Sequence, residues 1–248
     1  MPKHFFNPEQ MKGDELIIAG DTAHHLLGVL RISVGDTVIF CDGKNQDYFT
    51  VLREIKKSSK SAELFFEIAN TEPCRTEPSV YLTLYQSLPK SDKMDLIITK
   101  CVELGASEIV PILAERSAKR FGDGDIIKKN ERYRRISESA AGQCMRGVIP
   151  LVKAPCTFEQ AVTNMPADLC LVADENENGL TLNSFLRGEP VKNRVGIWIG
   201  PEGSFTENEL KALKNSGAVP VSLGRRILRT ETAAISSVAQ IISSWSEI

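Results

Sequence analysis

Apolar and polar positions along the chain fall into two rhythms. Up to about residue 72 the apolar runs are short and tend to alternate, the pattern of half-buried strands. Thr37–Asp42 (TVIFCD) and Asp47–Ile55 (DYFTVLREI) flank Gly43-Lys44-Asn45-Gln46, which reads as a hairpin turn. Ser61–Ala69 (SAELFFEIA) reads as a further strand, and Asp21–Leu30 as one short helix with Asp21 at its N-cap. Short strands with one helix predict a small β-barrel over residues 1–72. Asn70–Pro78 (NTEPCRTEP), with its prolines and polar residues, reads as a linker.

Past Pro78 strands alternate with helices. Val80–Leu88 reads as a strand, and Ser91 offers an N-cap to a helix on which Met94, Ile97, Ile98, Cys101 and Leu104 recur at helical spacing. Gly105 ends that helix. Further strands are expected at Ile109–Leu113, Leu169–Ala173, Val195–Ile199 and Val219–Leu223, with helices between them and a last one from Glu231 to Trp245. This order predicts an α/β domain over residues 73–248, with a mostly parallel sheet covered on both faces.

Composition narrows the class. Hydrophobic residues make up 42% and charged residues 25% of 248, an ordinary balance for a soluble protein. No apolar run approaches the ~18 residues of a membrane span. The opening Met-Pro-Lys-His-Phe-Phe-Asn lacks a signal-peptide pattern, so a cytoplasmic protein is expected. Six scattered cysteines form no C-x-x-C pair, and three histidines form no H-E-x-x-H, so neither a disulfide scaffold nor a metal centre is expected. The net charge of −2 conceals an uneven distribution. Residues 116–135 carry eight basic and three acidic side chains, while residues 159–189 carry one basic and six acidic. The first stretch suits a phosphate backbone, although a solvated helix face would look the same.

Ligands of parallel α/β sheets bind at the C-terminal strand ends. Two glycine-bearing segments fall there. Gly200-Pro201-Glu202-Gly203-Ser204-Phe205 comes directly after the apolar run VGIWI, and Thr206-Glu207-Asn208-Glu209 has the form of a capping box. The turn matches neither G-x-x-x-x-G-K-[ST] nor G-x-G-x-x-G, which removes the main support for nucleoside-triphosphate and dinucleotide binding. The second segment, Ser222-Leu223-Gly224-Arg225-Arg226-Ile227-Leu228-Arg229-Thr230-Glu231-Thr232-Ala233, leaves a strand and enters the last helix, with Thr230 or Thr232 available to cap it. Ile227 and Leu228 could line an adenine slot or plug the loop onto the sheet edge.

Together with His25, Leu30-Arg31, Lys93-Met94-Asp95, Glu103-Leu104-Gly105, Arg116-Ser117, Gln143 and Arg146, these segments carry a resemblance that spans nearly the whole chain. The sequence resembles the SPOUT methyltransferases, and within them the RsmE family of small-subunit ribosomal RNA uridine-N3 methyltransferases. ILRTETA after Leu-Gly is the most specific part. The chain departs from the family pattern at three places: Ser204 stands for the second glycine usual after GPEG, Gly142 for the glutamate before Gln143, and His4-Phe5 for the opening basic-aromatic pair.

The resemblance implies a PUA-like RNA-binding barrel, then a domain containing a deep trefoil knot, an exception to unknotted topology. It implies S-adenosylmethionine held by Ala173, Ile199, Gly200, Pro201, Glu202, Gly203, Ser222, Leu223, Gly224, Ile227, Leu228, Thr230, Thr232 and Ala233. It also implies 16S rRNA in the assembled small ribosomal subunit as substrate, and a homodimer through the knot domain and the last helix. Uridine N3 must lose its proton as the methyl transfers. Arg229 is the expected cation for the developing anion, the alternative being a structural pair with Glu231 or Glu202. Glu175 and Glu202 are the candidate bases, the alternative for either being a ligand of the cofactor's ribose hydroxyls or amine. RNA contacts are expected from Arg31, Lys93, Lys100, Arg116, Arg132 and Arg146. The competing readings are a knotted ribose 2′-O-methyltransferase and a non-catalytic RNA-binding assembly factor.

Overall fold

The computed structural model describes residues 3–58, 61–90, 93–117, 123–165 and 168–246. Ser91, expected to cap a helix, and Lys119 and Arg120 of the basic stretch lie outside them. The chain divides into two compact units. Unit 1 comprises residues 1–77 together with 141–149, and unit 2 comprises 78–140 and 150–248.

Unit 1 is a six-stranded sheet built from β1 (His4–Phe5), β2 (Met11–Lys12), β3 (Glu15–Ile18), β4 (Thr37–Cys41), β5 (Gln46–Lys57) and β6 (Ala62–Pro73), with helix α1 at Gly20–Gly28. The strand order is β1-β4-β5-β6-β3-β2, with β1 parallel to β4 and the other pairs antiparallel. Leu16, Ile18, Val38, Phe40, Leu64 and Phe66 alternate inward along their strands and pack with Ala23 and Leu26 of α1. Phe40 and Phe66 meet edge to face at 4.9 Å.

Local readings change in three places. Helix α1 begins at Gly20 with Ala19 in the N-cap position, so Asp21 is not the cap; it sits in the first turn, where its charge complements the helix dipole. Residues 70–73 are not linker. They extend β6, where Asn70 pairs with Phe49 and Pro73 with Gln46. Their side chains face solvent, so the hydrophobic pattern carries no trace of the ladder. The segment 141–149 completes the unit through backbone groups: Lys3 N–H donates to Gly142 O at 3.0 Å and Asn45 N–H to Gly147 O at 3.0 Å.

Unit 2 holds β7 (Tyr81–Ser87), α2 (Lys93–Glu103), β8 (Glu108–Leu113), α3 (Asp123–Gln143, its last turn grouped with unit 1), β9 (Leu151–Val152), β10 (Cys156–Thr157) and α4 (Phe158–Thr163). After these come β11 (Leu169–Ala173), α5 (Leu182–Gly188), β12 (Arg194–Ile199), α6 (Glu207–Asn215), β13 (Val219–Val221) and α7 (Thr230–Trp245). The main order is β10-β8-β7-β12-β11-β13, β9 also pairs with β8, and every pairing is parallel. Burial on both faces accounts for the unbroken apolar strands. On one face Trp198 stacks on Tyr85 at 4.4 Å and packs with Phe158 of α4, Leu213 of α6 and Phe205. Helix α7 touches β7 and β12 and packs against α2 and α5. Its Val238, Ile241, Ile242 and Trp245 are buried within this chain, and Trp245 Nε1 donates to Leu186 O at 3.2 Å.

Strand β13 stops at Val221, two residues before the expected end. Ser222 turns away to exchange backbone hydrogen bonds with Leu180 and Leu182 at 2.8 and 2.9 Å. Among the described residues no helix is long and apolar enough to cross a membrane, and no group of three His, Cys, Asp or Glu side chains could hold a metal ion.

Candidate active site

The chain leaves the C-terminal ends of β11, β12 and β13 in three loops, and together they line a cleft of about 480 Å³. A volume of this size lies within the range of small-ligand sites. Its walls hold Ala173, Ile199, Gly200, Pro201, Glu202, Ser222, Leu223, Gly224, Ile227, Leu228, Thr230 and Ala233. Of the residues expected at the cofactor, only Gly203 and Thr232 are not on the lining. Arg229, Glu175 and Glu202 all reach the same cleft.

The Gly200–Phe205 turn is shaped by the anchors at its C-terminal end. Phe205 is held in the core, and Thr206 caps α6 in a reciprocal capping box with Glu209. The backbone therefore curls back on itself. A Cβ on Gly200 would meet the Phe205 nitrogen at 3.1 Å and the Ser204 backbone at 3.3 Å, a tight fit that would press the turn outward by a few tenths of an ångström. Ser204 sits in left-handed backbone at φ 58°. Arg116, itself on the cleft lining, donates from Nη1 to Gly203 O at 2.7 Å and holds the turn.

The second loop enters α7 without a side-chain cap. Arg229 occupies the N-cap position, and neither Thr230 nor Thr232 performs the expected capping. The Thr230 hydroxyl is used across the site instead, donating to Gly200 O at 2.7 Å and accepting from Gln86 Nε2 at 2.9 Å. Ile227 is 84% exposed at the cleft mouth, while Leu228 is half-buried.

Charge is arranged asymmetrically. Lys93, expected to face RNA, ion-pairs with Glu231 at 3.1 Å and Glu202 at 3.4 Å. The bond to Glu231 raises the Lys93 pKa above its ordinary value, helped by Glu202 against some desolvation. Burial works to raise the Glu231 carboxyl, but backbone N–H donation and Lys93 outweigh it and hold the group below the usual carboxylate range. Glu202 also accepts from the Lys90 N–H at 3.1 Å. Glu175 lies on the opposite loop and accepts from Ser204 Oγ at 2.7 Å. Among the described residues Arg229 forms no close ion pair; at longer range its charge helps to hold the Glu231 carboxyl low, and its side chain lines the cleft.

The other basic residues expected at RNA are scattered. Arg146 is removed from a solvent-facing role: it is 3% exposed, its guanidinium grips Glu77 at 2.7 Å, and the same carboxylate takes the Gly147 N–H at 2.9 Å. Lys100 pairs with Glu103 at 2.8 Å and Arg132 with Asp95. Arg116 and Arg31 are exposed. Arg225, Arg226, Asn176 and Asn178 also line the cleft, and the sequence pattern did not single them out. The strand-end rule that pointed to Glu175 would have found the two asparagines.

Comparison with known proteins meets this geometry. A family described as RNA methyltransferase domain matches residues 76–242, and one described as RNA methyltransferase PUA domain matches 18–65. The chain is 35% identical over 230 residues to the Ribosomal RNA small subunit methyltransferase E of Bacillus subtilis, covering 90% of this chain and 88% of that protein. The chain belongs to the ribosomal RNA small subunit methyltransferase E family. The counterpart in Synechocystis is 32% identical, over 94% of this chain and 75% of that one. Among solved structures, that of the Neisseria gonorrhoeae member bound to S-adenosyl methionine superposes with a TM-score of 0.84 at 27% identity, covering 99% and 98% of the two chains. A Legionella pneumophila methyltransferase in complex with SAM gives 0.88 at 27% identity, over 99% of this chain and 98% of that one. The family is one of RNA methyltransferases, with a PUA-like sheet in unit 1 and the parallel methyltransferase sheet in unit 2.

Proposed function

We propose that this protein methylates N3 of a uridine in small-subunit ribosomal RNA, with S-adenosylmethionine as donor and the assembled subunit as substrate. The observation that carries the reading is the convergence of the GPEG and LGRRIL loops on one cleft with an unpaired arginine at its rim. The residues fit an adenosyl-amino-acid ligand. The backbone at Gly200 is closely packed and carries no side chain, Leu223 and Leu228 offer apolar surface, and Glu175 and Asn176 offer polar groups. Bound S-adenosylmethionine supplies an electrophilic methyl group on its sulfonium.

Arg229 stabilises negative charge developing on the uracil ring and stays protonated at any working pH. Of the two candidate bases, Glu202 is tied to Lys90 N–H and Lys93, whereas Glu175 meets a single hydroxyl. Glu175 is therefore the stronger candidate to accept the N3 proton or to bind the cofactor. Within unit 2, RNA phosphates meet Arg116, Arg225 and Arg226 at the cleft; within unit 1, Arg31 is an exposed candidate contact. The protein works in the cytoplasm as a homodimer. Val238, Ile241, Ile242 and Trp245 of α7 are buried in its own chain, so the helix would offer a partner its other side, with Thr232, Ser243 and Ser244, together with exposed unit-2 surface such as Leu96.

The test is transfer of labelled methyl from S-adenosylmethionine to small ribosomal subunits lacking the modification, with mass spectrometry of the nucleosides. 3-Methyluridine is expected, with a drop of about 10²-fold in Arg229→Ala. A 2′-O-methylated nucleoside would replace the reading with the ribose methyltransferase. Cofactor binding without transfer to any RNA would leave an assembly factor.

A further inference from the structure

Ser204 combines two features that are costly apart and purposeful together. Its backbone is left-handed, at φ 58°, where a residue with a side chain is strained and glycine is not. Its hydroxyl spans from the loop after β12 to the loop after β11 and donates to Glu175 Oε1 at 2.7 Å. The surroundings impose the backbone: the Ser204 N–H closes onto Pro201 O at 2.9 Å, Phe205 is fixed in the core and Thr206 is fixed by its capping box. Such a conformation persists because neighbours over-determine it, and it tends to mark functional positions. Glycine would satisfy the turn, so the backbone gives no reason for serine. The hydroxyl does.

Glu175 is set from the other side as well. Asp174, buried and 3.6 Å from Lys214, accepts the Asn176 N–H at 3.0 Å and shapes the loop that carries Glu175. Both Ser204 and Glu175 line the cleft. We propose that Ser204 is a positioning residue, aiming the Glu175 carboxylate at a hydrogen-bond donor of the bound S-adenosyl compound, either a ribose hydroxyl or the amino-acid ammonium. The proposal rests on the cofactor reading above and names a determinant within it.

Thermal unfolding and calorimetric binding of S-adenosylhomocysteine, measured on the full chain, test it without any catalytic readout. Ser204→Gly relieves the backbone and removes the hydroxyl, whereas Ser204→Ala removes the hydroxyl and keeps the strain. Both should bind about tenfold more weakly than wild type, as expected for loss of a bond to a charged group. Ser204→Gly should nevertheless melt above Ser204→Ala. A residue serving the fold alone would move stability and affinity together. Combining Ser204→Ala with Glu175→Gln should cost no more affinity than Glu175→Gln alone. Methylthioadenosine, which keeps the ribose and lacks the amino-acid end, locates the donor: a loss that persists names the ribose, and one that vanishes names the ammonium. Wild-type affinity in both Ser204 variants, wild-type affinity in Ser204→Gly alone, or additive losses in the double variant would overturn the proposal. Failure of the wild-type protein to bind would remove the cofactor reading and this proposal with it.

Discussion

Thr230 donates its hydroxyl hydrogen to the carbonyl oxygen of Gly200 at 2.7 Å, tying the first turn of α7 to the glycine turn after β12. The two residues are thirty apart in sequence and hold opposite walls of one cleft. Gln86 Nε2 completes the link at 2.9 Å, in a fully buried position. Thr230→Val keeps the shape, removes the donor and leaves the Gly200 carbonyl and the Gln86 amide short of a partner. It should destabilise the fold by about 1–3 kcal/mol and weaken cofactor binding. Denaturant unfolding paired with calorimetry measures both, and unchanged values would show that the link is replaceable by water.

The Lys93 pairs give a pH signature with a definite sign. Glu231 is held below its ordinary value of 4.5, so its contribution is present above that value and is lost as pH falls through the depressed one. Lys93 is raised above 10.5, so its contribution is present below that value and is lost as pH rises through the elevated one. Wild type should therefore exceed Lys93→Met in stability by a constant margin of about 0.5–1 kcal/mol from about pH 6 to 9. The margin should shrink below about pH 4. Melting curves across this range check it, and a margin that grew in acid would reverse the assignment.

Gly142 stands where a Cβ would meet the Lys3 carbonyl oxygen at 2.5 Å, and its own carbonyl accepts the Lys3 N–H at 3.0 Å. Gly142→Ala should cost unit 1 about 2–3 kcal/mol, since backbone must give way. At Gly28, on α1, a Cβ meets nothing within 4 Å and the φ is not positive. Gly28→Ala should be neutral or stabilising by up to about 1 kcal/mol. Chemical denaturation of the two variants side by side gives the comparison.

Arg225 and Arg226 are exposed on the cleft lining, and among the described residues neither forms an ion pair. Replacing both with alanine should lower the slope of log affinity against log salt for RNA by about 1.4–1.8, at the ~0.7–0.9 expected per phosphate contact. Arg146→Ala should instead lower stability by about 3–5 kcal/mol, because Glu77 would be left without its buried partner. An unchanged salt slope in the first variant would move the RNA path away from the cleft rim.

The strands and helices that bury apolar faces were legible, because period two and period 3.6 are written directly into residues such as Leu16–Ile18 and Met94–Cys101. Both cleft loops were legible from glycine and strand end, and the first also from its capping box, whereas the cap expected from Thr230 or Thr232 did not form. What escaped was non-local or polar. The end of β6 carries solvent-facing side chains, Thr230 reaches to Gly200 rather than capping its own helix, and Arg146 finds Glu77 across sixty-nine positions. No window of sequence contains both members of such a pair. Gly142 shows the converse, since a departure from the family pattern became intelligible once Lys3 was seen beside it.

Unit 1 is built from two separated stretches of chain, and the second arrives late in synthesis. A nascent chain that has emerged only through Glu77 lacks the acceptors at Gly142, Met145 and Gly147 that Lys3, Thr76 and Asn45 use in the finished protein. The apolar core of the N-terminal sheet is complete by Phe66, so the sheet can form first, and these bonds are added once residue 149 has been synthesised, after β7, α2 and β8. Cleavage between Glu77 and Pro78 would thus release an incomplete unit rather than a free domain. Unit 1 is thus finished by a segment made after much of unit 2, and its last bonds are the latest of its contacts to become available.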